Sequence, residues 1–113
     1  MNVAVIGSRS FKNFELLKNT LSKIEISLII SGGADGADSL AEHYAREQSI
    51  PTKIFLPDWK KYGKSAGMIR NTDIINEADV VVAFWDGQSR GTFDGIEKAK
   101  KLDKKLILIT FEN

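Results

Sequence analysis

Apolar runs and helix-like repeats alternate along this chain. Four of five strand-like segments are continuous runs rich in Val and Ile, which is typical of strands covered on both faces. The five segments are residues 2–6, 27–31, 52–56, 79–85 and 106–110, and the third is the exception. Between them, apolar residues recur at helical spacing. These repeats are Phe14, Leu17, Leu21 and Ile24; Leu40, Ala41, Tyr44 and Ala45; Met68, Thr72 and Ile75; and Phe93, Ile96, Ala99 and Leu102.

The alternation predicts a doubly wound α/β domain. Repeated βα units with right-handed crossovers give a parallel sheet with helices on both faces. We expect the strand order 3-2-1-4-5, which places the first strand beside the second and the fourth. Ligands of such folds bind at this switch point, outside the carboxyl ends of the strands. With 113 residues and no linker, the chain is expected to form one domain over residues 1–113.

Three glycine-bearing turns follow strand-like runs. They read Gly7-Ser8-Arg9, Gly32-Gly33-Ala34-Asp35-Gly36 and Gly87-Gln88-Ser89-Arg90-Gly91-Thr92. Glycine lets a ligand approach the backbone closely, and the N-terminus of a following helix attracts anions, above all phosphate. Three such turns at one end of neighbouring strands predict the floor of a pocket for a nucleotide-type ligand.

The arginines point to the same end of the sheet. Arg9 and Arg90 lie in glycine turns and Arg70 in the short helix before the fourth strand, whereas Arg46 lies on an ordinary helix. Because arginine suits bidentate phosphate recognition, we expect the phosphate near Arg9, Arg70 and Gly91-Thr92, and we expect Arg90 to contact the ligand as well.

Some polar residues of these turns have structural alternatives. Thr92 is either a phosphate ligand or the N-cap of the last helix. In the second turn we expect Asp35 as N-cap, and Asp38 either as the acceptor of a capping box or as a ligand for ribose hydroxyls.

Composition narrows the class of protein. The net charge of +1 does not suggest a nucleic-acid partner. The chain has no cysteine and a single histidine, His43, so neither a disulfide framework nor a transition-metal site is expected. Since no apolar stretch is long enough for a membrane span and the chain opens directly into a strand, we expect a cytoplasmic protein without a membrane partner.

Four motifs in order resemble a known family. Gly7-Ser8-Arg9, the 32–38 turn, Asp58-Trp59 with Gly63-Lys64-Ser65-Ala66-Gly67 and Arg70-Asn71, and Arg90-Gly91-Thr92 are similar to the YspA-like branch of the SLOG superfamily. That superfamily also holds the LOG phosphoribohydrolases and the Rossmann-like domain of DprA proteins. The resemblance implies a Rossmann-like domain that binds nucleotides or their derivatives, often in phage-conflict settings. By motif match the site would be lined by Gly7, Ser8, Arg9, Gly32, Gly33, Asp38, Arg70, Asn71, Gly91 and Thr92.

One departure separates the chain from the LOG hydrolases. Their Pro-Gly-Gly-x-Gly-Thr-x-x-Glu motif ends in a glutamate that takes part in N-glycosidic cleavage, and here Gly95 occupies that position. Asp94 lies one residue early, which turns its side chain by about 100° on a helix. We therefore expect a sensor, a sequestrant or a processing domain. Two alternatives stay open: a hydrolase of nucleotide N-glycosidic or phosphate-ester bonds using Asp35, Asp38 or Asp94, and a DprA-like DNA-processing module. The ligand itself and a possible homo-oligomer are left open as well.

Overall fold

The computed structural model describes residues 1–112 and contains the expected parallel sheet. Five strands are hydrogen-bonded in the order β3-β2-β1-β4-β5, so the predicted topology is confirmed. The strands are β1 (Asn2–Gly7), β2 (Leu28–Ser31), β3 (Thr52–Ile54), β4 (Val80–Trp85) and β5 (Lys105–Thr110). β3 is shorter than predicted: Phe55 still donates its N–H to the Ser31 carbonyl at 2.9 Å, and the chain then leaves the sheet.

Five α-helices connect the strands. They are α1 (Phe14–Leu21), α2 (Ala37–Gln48), α3 (Trp59–Tyr62), α4 (Ala66–Glu77) and α5 (Arg90–Lys101), with a 3₁₀ turn over Gly63–Ser65. α1 ends before Ile24, whose side chain nevertheless packs against the core as the helical repeat suggests. None of the helices within residues 1–112 has the length and hydrophobicity needed to cross a membrane.

The core lies on both faces of the sheet. Val3 and Val5 of β1 join the cluster under α1 and α2, whereas Ala4 and Ile6 join the cluster under α4 and α5. Alternate residues of one strand thus enter opposite layers, and this is why β1 and β4 are apolar throughout.

Close backbone approaches fix the carboxyl end of β1. A Cβ atom at Gly7 would lie 2.5 Å from Ala37 Cβ and 2.7 Å from the Phe84 carbonyl oxygen. Gly36 has φ +76°, and a Cβ there would lie 2.3 Å from the Ser8 carbonyl oxygen. The absence of side chains at Gly7 and Gly36 lets the start of α2 pack directly against the end of β1. This contact fixes the floor of the pocket.

Candidate functional site: a polar pocket at the carboxyl ends of the strands

A pocket of about 430 Å³ opens at the carboxyl ends of β1, β2 and β4. This is the location expected for a ligand site in this topology. Its lining combines backbone turns with side chains of both charges. The lining residues are Ile6, Gly7, Ser8, Arg9, Ser10, Gly32, Ala34, Asp38, Arg70, Asn71, Ile74, Asp86, Ser89, Gly91 and Thr92.

Arg70 is held in a fixed orientation on one wall. Its Nη1 atom donates to the Gly32 carbonyl oxygen at 2.8 Å, and its Nε atom donates to Asn71 Oδ1 at 3.0 Å. A Cβ at Gly32 would lie 2.5 Å from Nη1, so the glycine makes room for the guanidinium group. Burial lowers the pKa of Arg70, with the charge of Arg9 acting in the same direction and that of Asp38 opposing it. Two cationic groups therefore share the pocket.

Asp38 is the buried carboxyl group of the pocket. Only 7% of the residue is exposed, and Oδ2 accepts the N–H of Ala34 at 3.2 Å. Burial raises the pKa of Asp38 to about 6, and nearby Glu42 adds to the rise; the hydrogen bond from Ala34 and the charge of Arg70 oppose it. This carboxyl group can therefore gain or lose a proton near neutral pH.

The second turn differs from the expected cap. The N-cap of α2 is Gly36, not Asp35, and Gly36 makes no side-chain cap. Asp35 is exposed and does not line the pocket. Asp38 lies in the first turn of α2, but its carboxylate points back to Ala34 rather than closing a capping box.

The N-terminus of α5 forms the opposite wall. The N-cap is Ser89 rather than Thr92: its hydroxyl accepts the N–H of Thr92 at 3.4 Å and lies 3.0 Å from Thr92 Oγ1. Gly91 follows in the first turn, and a Cβ there would meet nothing within 4 Å. Because the first N–H groups of a helix have no intrahelical acceptor, this exposed turn can receive an anion.

Hydrogen bonds of Asp86 and Ser8 connect the turn before α5 to the end of β1. Asp86 Oδ1 accepts the N–H groups of Gln88 at 2.9 Å and Ser89 at 2.8 Å, while its own N–H donates to Ser8 Oγ at 3.1 Å. Ser8 is buried, and its N–H donates to the Phe84 carbonyl. Asp86 was not predicted from the sequence, although an Asp before a Gly at the end of an apolar strand is a recognisable turn signal.

Asp94 belongs to a network outside the pocket lining. Its Oδ2 atom accepts from Asn71 Nδ2 at 3.2 Å and from Lys98 Nζ at 2.8 Å. Asn71 also donates to the Gly91 carbonyl at 3.2 Å, and Lys98 donates to the Met68 carbonyl. These contacts tie α4 to α5 and set the width of the pocket between them.

Most of the predicted ligand residues meet in this one pocket. Nine line it: Gly7, Ser8, Arg9, Gly32, Asp38, Arg70, Asn71, Gly91 and Thr92. Gly33 and Arg90 are exposed and outside the lining, so their contact with a ligand stays a prediction. Ala34 and Ser89 lie in the glycine-bearing turns predicted to form the pocket, whereas Ile6, Ser10 and Ile74 were not predicted as part of it. Within residues 1–112, no three His, Cys, Asp or Glu side chains are grouped to hold a metal ion.

The fold and the pocket define a Rossmann-like domain with a polar site at its switch point. Its sequence matches the model of the YspA, cpYpsA-related SLOG family over residues 1–62, and the chain belongs to that family. Gene 61 protein of Mycobacterium phage D29 is 33% identical over 110 residues, covering 88% of each chain.

Two solved DNA processing proteins share the fold. DprA from Streptococcus pneumoniae superimposes with a TM-score of 0.79 at 19% identity, and DNA processing protein A from Helicobacter pylori with 0.74 at 23%. They cover 95% and 96% of this chain, but the chain spans only 49% and 64% of theirs. The H. pylori structure describes a single-stranded DNA binding mode. The expectation that nucleic acid is not a partner, based on net charge, is therefore wrong: a protein of this fold binds DNA, and net charge does not report local charge.

Proposed function

We propose that this domain binds a nucleotide or nucleotide-derived ligand, with a phosphate group between Arg9, Arg70 and the N-terminus of α5. The observation that carries the proposal is the meeting of two guanidinium groups and the N-terminus of α5 in one pocket. Arg9 disfavours the positive charge of Arg70 and Asp38 favours it; a bound phosphate would add a favourable partner for both guanidinium groups.

Binding without turnover is the form of this function that we favour, as a sensor, sequestrant or processing domain. The position of the LOG-type glutamate is Gly95, which is buried against the sheet. Asp94 is engaged by Asn71 and Lys98, and Asp35 lies outside the pocket. Neither of these carboxylates is placed to attack or protonate a ligand in the pocket. A setting in phage conflict stays a prediction.

Hydrolysis of an N-glycosidic bond is the second candidate, and Asp38 is the observation that favours it. A carboxyl group in the pocket with a pKa of about 6 is suited to donate a proton to a leaving base. Chromatography after long incubation of nucleoside monophosphates and ADP-ribose with the protein tests this. Free base from the wild type, absent in an Asp38→Asn variant that still binds, would establish the hydrolase.

Calorimetry and thermal shift with nucleotides, ADP-ribose and cyclic dinucleotides test binding itself. A ligand at about 100 times its dissociation constant should stabilise the fold by roughly 2.7 kcal/mol. Arg9→Ala and Arg70→Ala should each weaken binding by roughly 1.5–3 kcal/mol, the scale of a charge-assisted hydrogen bond. Arg46→Ala, on the exposed face of α2, is the matched control. A flat response over the whole panel would refute the proposal.

A further inference from the structure

Residues 58–65, here called the 58–65 segment, carry a surface that packing does not explain. Trp59 is 56% exposed and Tyr62 is 41% exposed. Three lysines, Lys60, Lys61 and Lys64, are exposed in the same eight residues. The only carboxylate of the segment, that of Asp58, is occupied in capping α3, where it accepts the N–H of Lys61 at 3.1 Å. The segment therefore presents aromatic faces among positive charges.

This surface lies beside the pocket. A Cβ at Gly67, in the first turn of α4, would lie 3.7 Å from the Trp59 ring. Gly67 and Asn71 are four residues apart and so share one helix face, and Asn71 and Arg70 line the pocket. Gly67, which the Trp59 ring approaches, thus lies one helical turn, roughly 6 Å along α4, from Asn71 of the pocket wall.

The pocket and the 58–65 segment together carry five cationic side chains, which is more than a single phosphate group would pair with. Arg9 and Arg70 already line the pocket, and the three exposed lysines of the 58–65 segment directly precede α4, the helix that carries Arg70. Exposed aromatic rings interleaved with lysines fit a flexible chain of unpaired bases, because bases stack on the rings and phosphates pair with the ammonium groups. In a duplex the base faces are already stacked on one another.

From this arrangement we propose that the ligand is a single-stranded oligonucleotide: one nucleotide unit occupies the pocket, and the adjoining units cross the 58–65 segment. The inference rests on the proposed function of the pocket and adds the identity of the ligand class. Trp59 stacks a base next to the one in the pocket, and the lysines contact the backbone that leads away from it.

Fluorescence anisotropy with a labelled oligothymidylate about 12 nucleotides long tests the inference. Trp59→Ala should weaken binding roughly 5- to 150-fold, the range for loss of one stacked base. Replacing Lys60, Lys61 and Lys64 together with alanine should reduce the slope of log affinity against log salt by roughly 2, at about 0.7 per phosphate contact of a single strand. The matched control replaces three exposed lysines elsewhere, Lys100, Lys101 and Lys105, and should leave both quantities unchanged. All these side chains are exposed, so the variants should keep the fold, which circular dichroism checks.

The outcomes separate this inference from the proposed function. The expected pattern is that the oligonucleotide binds more tightly than a mononucleotide, and that Trp59→Ala removes this gain while mononucleotide binding survives. If mononucleotides bind but a longer strand adds nothing, the inference falls and the pocket function stands. An equal loss of mononucleotide and oligonucleotide binding in Trp59→Ala would make Trp59 part of the pocket and also overturn it. Equal affinity for duplex DNA, equal binding to phosphatidylserine vesicles, or oligonucleotide binding that is insensitive to Arg9→Ala would refute it as well. No binding of either ligand would refute both proposals.

Discussion

Replacing Asp38 with asparagine should stabilise the protein at neutral pH. Burial raises the pKa of this carboxyl group from 3.8 to about 6. The folded state binds the proton of Asp38 more tightly than the unfolded state does. The protonated carboxyl group therefore contributes its full stabilisation of the fold below pH 3.8, and this contribution is lost as the pH rises through 6. At about 1.4 kcal/mol per pKa unit, the ionised form costs about 3 kcal/mol of stability above pH 6.

Asparagine removes that cost and keeps most of the contacts. Its side-chain oxygen can still accept the N–H of Ala34, although the attraction to Arg70 is lost. The gain in unfolding free energy should therefore approach, but not exceed, about 3 kcal/mol at pH 8 and should shrink as the pH falls from 7 towards 4. Urea denaturation of both proteins across this range measures the difference.

A matched control sharpens the test. Asp35 belongs to the same turn but is exposed, so Asp35→Asn should change stability little at any pH. An Asp38→Asn variant that is less stable than wild type at pH 8, or a gain that does not depend on pH, would refute the reasoning. The first result would mean that the hydrogen bonds and Arg70 stabilise the carboxylate more than burial destabilises it. The second would mean that ionisation of Asp38 is not the source of the gain.

Four further substitutions test how the pocket is built. Gly36→Ala should lower the free energy of unfolding, measured by urea denaturation, by about 1–3 kcal/mol or more. The alanine would have to adopt φ +76°, and its Cβ would lie 2.3 Å from the Ser8 carbonyl oxygen. Gly91 is helical and a Cβ there would meet nothing within 4 Å, so Gly91→Ala should instead raise the free energy of unfolding by up to about 1 kcal/mol. Equal effects of the two glycine substitutions would contradict the packing argument. Ser89→Ala should lower the free energy of unfolding by about 0.5–1 kcal/mol, because it removes the N-cap of α5. If Ser89 is the cap, Thr92→Ala should lower the free energy of unfolding by no more than that.

The sheet could be predicted because its signals are local and strong. Runs such as Val80–Phe84 leave little choice but a strand buried on both faces, and β1 and β4 are the two such strands at the centre. The end of β3 was harder: Phe55 and Leu56 continue the strand pattern, yet Leu56 is 71% exposed at the sheet edge. Hydrophobicity alone does not say where an edge strand stops pairing.

The caps could not be read from residue preferences alone. Asp35 and Thr92 are good N-cap residues, but the helices begin after Gly36 and Ser89 instead. At Gly36 the tight approach of the Ser8 carbonyl decides the start, and at Ser89 the turn is set by Asp86, which accepts two N–H groups there. The first cause comes from the end of β1, which is distant in sequence. The second is local, but it depends on Asp86, three residues earlier, and not on the preference of the cap residue itself.

Gly95 shows what this chain has in place of the glutamate expected from the LOG motif. A Cβ at this position would lie 2.7 Å from Ile6 Cδ1, so α5 is seated directly on the end of β1. A glutamate here would have to displace Ile6, which also lines the pocket. Two carboxyl groups line the pocket, Asp38 on α2 beside Arg70 and Asp86 after β4, and neither occupies the position of the LOG glutamate. If the domain does catalyse a reaction, its proton must therefore come from a different side of the ligand than in a LOG hydrolase, and the Asp38→Asn variant that tests the stability argument tests that route as well.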